Sequence, residues 1–157
     1  KVLASGSMDG SIRLWEPQSG FCMATLQKNT QTIYSIAFSS DSNWLVSGGS
    51  DQQIHVWEVA TGHLVASLPA GQGWILSVAL SRDGRFLATG GFDGTIKLWD
   101  FSNPQTELKP LGTLLGHIQP LLSIVFSSDS KLLASGGTDE AIRIWSVDQQ
   151  TCQNILK

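Results

Sequence analysis

The sequence predicts an all-β chain assembled from one repeated, four-stranded antiparallel unit. Two observations carry that expectation. The first is a phrase written four times: GSMDGSIRLWE (residues 6–16), GGSDQQIHVWE (48–58), GGFDGTIKLWD (90–100) and GGTDEAIRIWS (136–146). Each copy sets a turn Asp six residues before a Trp: Asp9 and Trp15, Asp51 and Trp57, Asp93 and Trp99, Asp139 and Trp145. Both series advance by 42, 42 and 46 residues, and self-similarity at a fixed period marks a repeat architecture. The second observation is alternation of apolar and polar residues inside each phrase, the pattern of a strand with one face in a core. Helical repeats of similar length need a period of about 3.6, which these segments lack.

Each unit divides into four short segments. The first is IYSIAFS (33–39), ILSVALS (75–81) and LLSIVFS (121–127), followed by SDSN, RDGR or SDSK. Asp, Ser and Gly in those links favour tight turns. The second is LASGS (3–7), WLVSGG (44–49), FLATGG (86–91) and LLASGG (132–137). The third, after the Asp turn, is IRLWE, IHVWE, IKLWD and IRIWS. The fourth is FCMATL (21–26), HLVASL (63–68), LGTLL (111–115) and CQNIL (152–156). Its polar and small residues suit an exposed outer strand. The long last interval comes from FSNPQTELKPL (101–111), read as a loop insertion.

A four-stranded antiparallel unit recurring at this period is a propeller blade. On these residues the chain resembles the WD-repeat (WD-40) β-propeller family. The dipeptide behind the family name stands at Trp99-Asp100; Trp15-Glu16 and Trp57-Glu58 keep an acid, and Trp145-Ser146 loses it. Gly116-His117 matches the Gly-His that opens a repeat. The expected organisation is a partial WD-repeat propeller over residues 1–157. It has three complete blades (33–68, 75–115 and 121–156) and a three-stranded blade (1–26) lacking its inner strand. Fifteen strands close no ring of four-stranded blades, so the chain is read as a fragment of a larger closed ring.

Composition narrows the function. Hydrophobic residues make up 41% and charged residues 15%, too apolar and too weakly charged for a disordered chain. The net charge of −3 implies no basic patch, which argues against nucleic acid or an anionic membrane as partner. No apolar run approaches the roughly 20 residues that span a bilayer, and KVLASGS at the N-terminus has no signal-peptide pattern. Cys22 and Cys152 each lie seven residues after a repeat Trp. Equivalent positions in separate units do not pair, so free thiols in a reducing, cytoplasmic setting are expected. Clustered metal-ligand spacings are absent, and no metal or cofactor is expected.

His117, Ser135, Asp139 and Trp145 could be read as a Ser-His-Asp catalytic set. No nucleophile-elbow pattern surrounds Ser135, and the resemblance implies a structural role. In the family the Asp orients the His, the His reaches the Ser hydroxyl, and the Ser meets the Trp indole N–H. Such satisfied buried networks fix blade geometry. The matching residues are Ser5, Asp9 and Trp15; Ser47, Asp51 and Trp57; Thr89, Asp93 and Trp99. Stepping back from His117 by the repeat spacing reaches Gly71 and then Asn29. The blade of Trp99 is therefore expected to have an incomplete network, and that of Trp57 a weaker Asn29 substitute. His117→Ala is expected to cost more than Asn29→Ala. His55, in the position of Arg13, Lys97 and Arg143, reads as a surface residue, and His63 as solvated. The pairs Gly48-Gly49, Gly90-Gly91 and Gly136-Gly137 lack phosphate-loop spacing and read as sites of close backbone approach.

Trp44 aligns with Phe86 and Leu132 and reads as packing. Trp74 lies in the loop GQGWI ahead of an inner strand. The resemblance implies that such loops and the Asp turns form one rim of the disc, where partners dock. Met8, Phe92, Tyr34, Leu76 and Leu122 recur at that rim, with Trp74 and Pro120 close by. Aromatic residues there suit binding anchors, though Trp74 could equally cover the neighbouring blade. The expected function is a non-catalytic scaffold that binds a protein or peptide through the rim, with rim acids favouring basic partners. A regulatory module of a larger signalling NTPase and a structural spacer are the alternatives. A propeller enzyme fits less well, because the inner strands offer only hydroxyls; no catalytic residue is assigned.

Overall fold

The computed structural model describes residues 1–27, 31–105 and 108–157. The alternating segments form four antiparallel sheets. The first holds β1 (Leu3–Gly6), β2 (Ser11–Trp15) and β3 (Cys22–Gln27). The second holds β4 (Ile33–Phe38), β5 (Trp44–Gly49), β6 (Gln53–Glu58) and β7 (Leu64–Pro69). The third holds β8 (Ile75–Leu80), β9 (Phe86–Gly91), β10 (Ile96–Asp100) and β11 (Lys109–Leu114). The fourth holds β12 (Leu121–Phe126), β13 (Leu132–Gly137), β14 (Ile142–Ser146) and β15 (Thr151–Leu156). Strands follow chain order across every sheet. These are propeller blades, one of three strands and three of four.

The blades stack along the inner edges of their sheets: β1, the second-segment strand of the first sheet, meets β4, and the inner strands β4, β8 and β12 meet in succession. The arc is an open ring. Each core lies between two sheets. Ile12, Leu14 and Leu26 of the first blade pack with Ile33, Leu45 and Trp57 of the second. Val46, Ile54 and Val56 pack with Ile75, Val78 and Leu87. Ile96, Leu98 and Leu114 pack with Leu121, Ile124 and Leu133. Trp44 packs against the middle cluster, as its alignment with Phe86 suggests.

Two recurrent bulges shape the blades. One interrupts the third-to-fourth pairing just before each repeat Trp, between Leu14 and Trp15, Val56 and Trp57, Leu98 and Trp99, and Ile144 and Trp145. The other skips Tyr34, Leu76 and Leu122 in the inner-to-second pairing. A bulge leaves one residue unpaired and re-aims its side chain. The three bulged residues are three of the expected rim residues.

The insertion after Trp99 is shorter than the sequence suggests. Lys109 and Pro110 already belong to β11, because an outermost strand tolerates Pro on its free edge. Both ends of the connection are anchored, with Phe101 and Leu108 buried in the core between the second and third blades.

Candidate functional site

The residues singled out in each repeat fall into two layers, a hydrogen-bond network around the repeat Trp, buried in the fourth blade and exposed at Ser5 and Asp9 in the first, and an exposed rim above it. In the fourth blade the network is continuous. The Trp145 indole N–H donates to Ser135 Oγ at 2.8 Å. Ser135 Oγ lies 2.8 Å from His117 Nε2, and His117 Nδ1 lies 2.8 Å from Asp139 Oδ1. A carboxylate only accepts, so Nδ1–H donates to Asp139 and Nε2 accepts the Ser135 proton. Arg143 donates to the other carboxylate oxygen at 2.7 Å. Burial pushes the Asp139 carboxyl up, but hydrogen bonds from His117 and Arg143, helped by their charges, outweigh it and hold it at about 2. Each of these side chains is partnered, and Ser135 is buried.

The second blade keeps only part of this arrangement. Trp57 donates to Ser47 at 3.0 Å. Asn29 lies outside the described residues. His55 corrects the sequence expectation: it is 2% exposed, with Nε2 2.7 Å from Asp51 Oδ2. Its position sits four residues after the turn Asp, and the strand turns it inward onto that carboxylate. The same inward reach recurs at Arg143, and Lys97 donates to the carbonyls of Ala70 and Gly71 at 2.5 and 3.2 Å.

The third blade corrects a second expectation. Gly71 offers nothing, but its neighbour Gln72 does. Trp99 donates to Thr89 Oγ1 at 3.0 Å, and Thr89 donates to Gln72 Oε1 at 2.6 Å. The Gln72 amide nitrogen then donates to the Thr89 and Thr95 carbonyls at 3.1 and 2.8 Å. Asp93 joins this network only indirectly, through the Thr95 hydroxyl, which accepts from the Gln72 amide nitrogen at 3.1 Å. It binds the Thr95 N–H and hydroxyl at 2.9 and 2.8 Å and caps its own turn. Gly71 and Gly73 both have positive φ, 64° and 67°, which turns the loop so that Gln72 points in and Trp74 points out. In the first blade Trp15 donates to Ser5 at 2.9 Å, and Asp9 caps Ser11.

Above this layer the rings of Tyr34, Trp74 and Phe92 are contiguous. Tyr34 and Trp74 centroids are 5.9 Å apart, Trp74 and Phe92 5.3 Å, both tilted. All three are exposed. The Phe92 N–H donates to the Trp74 carbonyl at 2.8 Å, which fixes the loop against the Asp93 turn. Met8 and Leu122 are exposed at the matching positions of the first and fourth blades, while Leu76 is half-buried. Asp9 beside the Ser11 hydroxyl and N–H has its carboxyl lowered to about 2, so this rim carries an ionised carboxylate. Among the described residues no group of His, Cys, Asp and Glu could hold a metal ion, and Cys22 and Cys152 are free.

Four matches to the family model described as "WD domain, G-beta repeat" cover residues 1–16, 20–58, 62–100 and 108–146. The chain belongs to the WD-repeat family. Each WD-repeat match closes at the residue after a repeat Trp, so one sequence repeat takes the outer strand of one blade and the inner three of the next. Two relatives are 44% identical over 43 residues, 27% of this chain and 8% of theirs: the F-box-like/WD repeat-containing proteins TBL1Y of Homo sapiens and TBL1X of Mus musculus. The likeness is one repeat long and spans a small fraction of those proteins. It supports the WD-repeat unit itself, and with it the general role of protein-interaction scaffold.

Proposed function

We propose that this chain binds a protein or peptide through its loop rim, with Tyr34, Trp74 and Phe92 as the central anchor. The observation that carries the reading is their contact as one exposed aromatic run. Three large apolar side chains held in water by bulges and a glycine-flanked loop favour docking, since aromatic anchors contribute disproportionately to binding energy. Leu76, Leu122 and Met8 extend the surface along the arc. The turn carboxylates on the same rim favour a partner with basic side chains around an apolar one, in a cytoplasmic setting.

The test is affinity capture with the full chain, wild type against Trp74→Ala combined with Phe92→Ala. Loss of a captured protein with an unchanged unfolding midpoint supports rim docking. Retention of the same partners by a folded variant would leave the rim as a spacer surface.

A further inference from the structure

We propose that the cleft between the second and third blades, at the strand ends opposite the aromatic rim, is a binding site for an arginine side chain of a protein partner. The guanidinium would stack on Trp44 and pair with the carboxylates of Asp41 and Asp83.

The cleft has a volume of about 280 Å³ and is lined by Asp41 and Trp44 of the second blade, Asp83 and Gly84 of the third, and Phe101 and Pro104 of the connection leaving β10. Phe101 and Pro104 are buried and Trp44 is half-buried, while Asp41 and Asp83 are exposed. An apolar, aromatic lining with carboxylates at its open side suits a side chain with an aliphatic stem and a cationic head. The volume lies near the lower end of the roughly 300–1,000 Å³ of small-ligand pockets, the scale of one long side chain.

Two local features of the sequence open this cleft. Between the third and fourth blades, Ser130 Oγ accepts the Asp83 N–H at 3.2 Å and ties the two turns together. The counterpart of Ser130 one repeat earlier is Gly84, which has no side chain to reach the Asp41 turn. Pro104 belongs to the insertion that lengthens this one connection, so it adds a wall that the other blades lack.

Charge identifies the occupant. Hydrogen bonds from the Ser39 hydroxyl and the Asn43 N–H hold the Asp41 carboxyl below its ordinary value, so it is ionised at neutral pH. The third and fourth blades carry Arg85 and Lys131 two residues after the turn Asp, where the second blade carries Asn43. The Arg85 guanidinium lies 4.9 Å from the centre of the Phe86 ring, and Phe86 is the counterpart of Trp44. The third blade thus supplies its own cation to the aromatic ring beside its turn carboxylate. The second blade keeps the carboxylate and the larger ring but has no cation of its own there. Indole is the strongest of the aromatic partners for a cation. A planar guanidinium can stack on it and still offer paired donors to carboxylates, which an ammonium cannot do.

The test is a titration of the full chain with acetyl-Gly-Arg-Gly-amide, followed by NMR of the backbone and indole N–H groups. The expected result is saturable shifts at the Trp44 indole and over residues 39–44 and 82–85. Asp41→Asn combined with Asp83→Asn, which keeps the turn hydrogen-bond acceptors, should weaken binding by about tenfold or more. Asn43→Arg places a cation where Arg85 stands in the next blade and should also remove the response; it decides the matter if the double variant fails to fold. Trp74→Ala with Phe92→Ala should leave the response intact, which separates this site from the rim. Four outcomes would overturn the proposal: no shifts at Trp44, equal binding of the norleucine or lysine tripeptide, a response that survives Asn43→Arg in the folded chain, or tighter binding of free L-arginine than of the tripeptide. The last would assign the cleft to a small molecule.

Discussion

Asp139→Ala lowers the stability of the chain by about 3 kcal/mol or more, since it strips a buried carboxylate from two cationic or hydrogen-bonding partners. Its side chain is 4% exposed, and it holds His117 and Arg143 at 2.8 and 2.7 Å. Removal leaves the Arg143 guanidinium and the His117 Nδ1–H facing an emptied, largely dry site, and frees the ring whose Nε2 positions Ser135 and, through it, Trp145. Asp93→Ala is the matched comparison. Asp93 occupies the same repeat position but is exposed and only caps Thr95, so its loss costs about 1 kcal/mol. Urea unfolding of the two variants reads the difference, and equal losses would contradict the network account. The acid dependence follows from the same carboxyl. Its folded value of about 2 lies below the model-peptide 3.8, so its stabilising contribution is full above the latter and fades as pH falls towards the former. Wild-type stability should therefore fall between those limits, and Asp139→Ala should show a shallower fall.

The repeat made most of the fold legible. Period-2 alternation, turn Asp residues and the fixed Trp give the blade and its strand order, because each unit is stabilised by the same local chemistry. What the alignment conceals is a residue that does a repeat job one position out of register. The repeat spacing points to Gly71, which has no side chain to offer, and Gln72 one residue on takes the role; the left-handed turns at Gly71 and Gly73 let it reach Thr89. Two glycines flanking a Gln were the available signal. His55 departs from the expectation because Arg13, Lys97 and Arg143 at the same position suggest a solvated face. The spacing of four residues from each turn Asp pointed inward, and on a strand passing under that turn it brings the pair together. Pro110 obscured the start of β11, since a Pro removes a strand donor unless the edge is free. The rim aromatics were legible as loop residues, but their contact was not. It depends on the bulge that skips Tyr34, a feature set by three-dimensional pairing.

Gln72→Ala should destabilise the third blade by about 3 kcal/mol, combining a buried polar loss with a cavity. Gln72 is fully buried. Its removal leaves the Thr89 hydroxyl without its acceptor and the Thr89 and Thr95 carbonyls without the amide donor. An incomplete network in this blade would instead make Gln72→Ala a mild loop substitution, within about 0.5 kcal/mol of wild type. Gly71→His on the Gln72→Ala background separates the possibilities further. It should fail to rescue, because residue 71 has a φ of 64° and its Cβ would lie 3.1 Å from Lys97 Nζ. The consequence reaches the rim. The Asp93 N–H donates to the Gln72 carbonyl at 3.3 Å, and the Phe92 N–H to the Trp74 carbonyl at 2.8 Å, so the loop that presents Trp74 is pinned from below by Gln72 and from the side by Phe92. Faster amide exchange over residues 89–95 in Gln72→Ala, with the fourth blade unchanged, would show that the buried network sets the order of the docking surface above it.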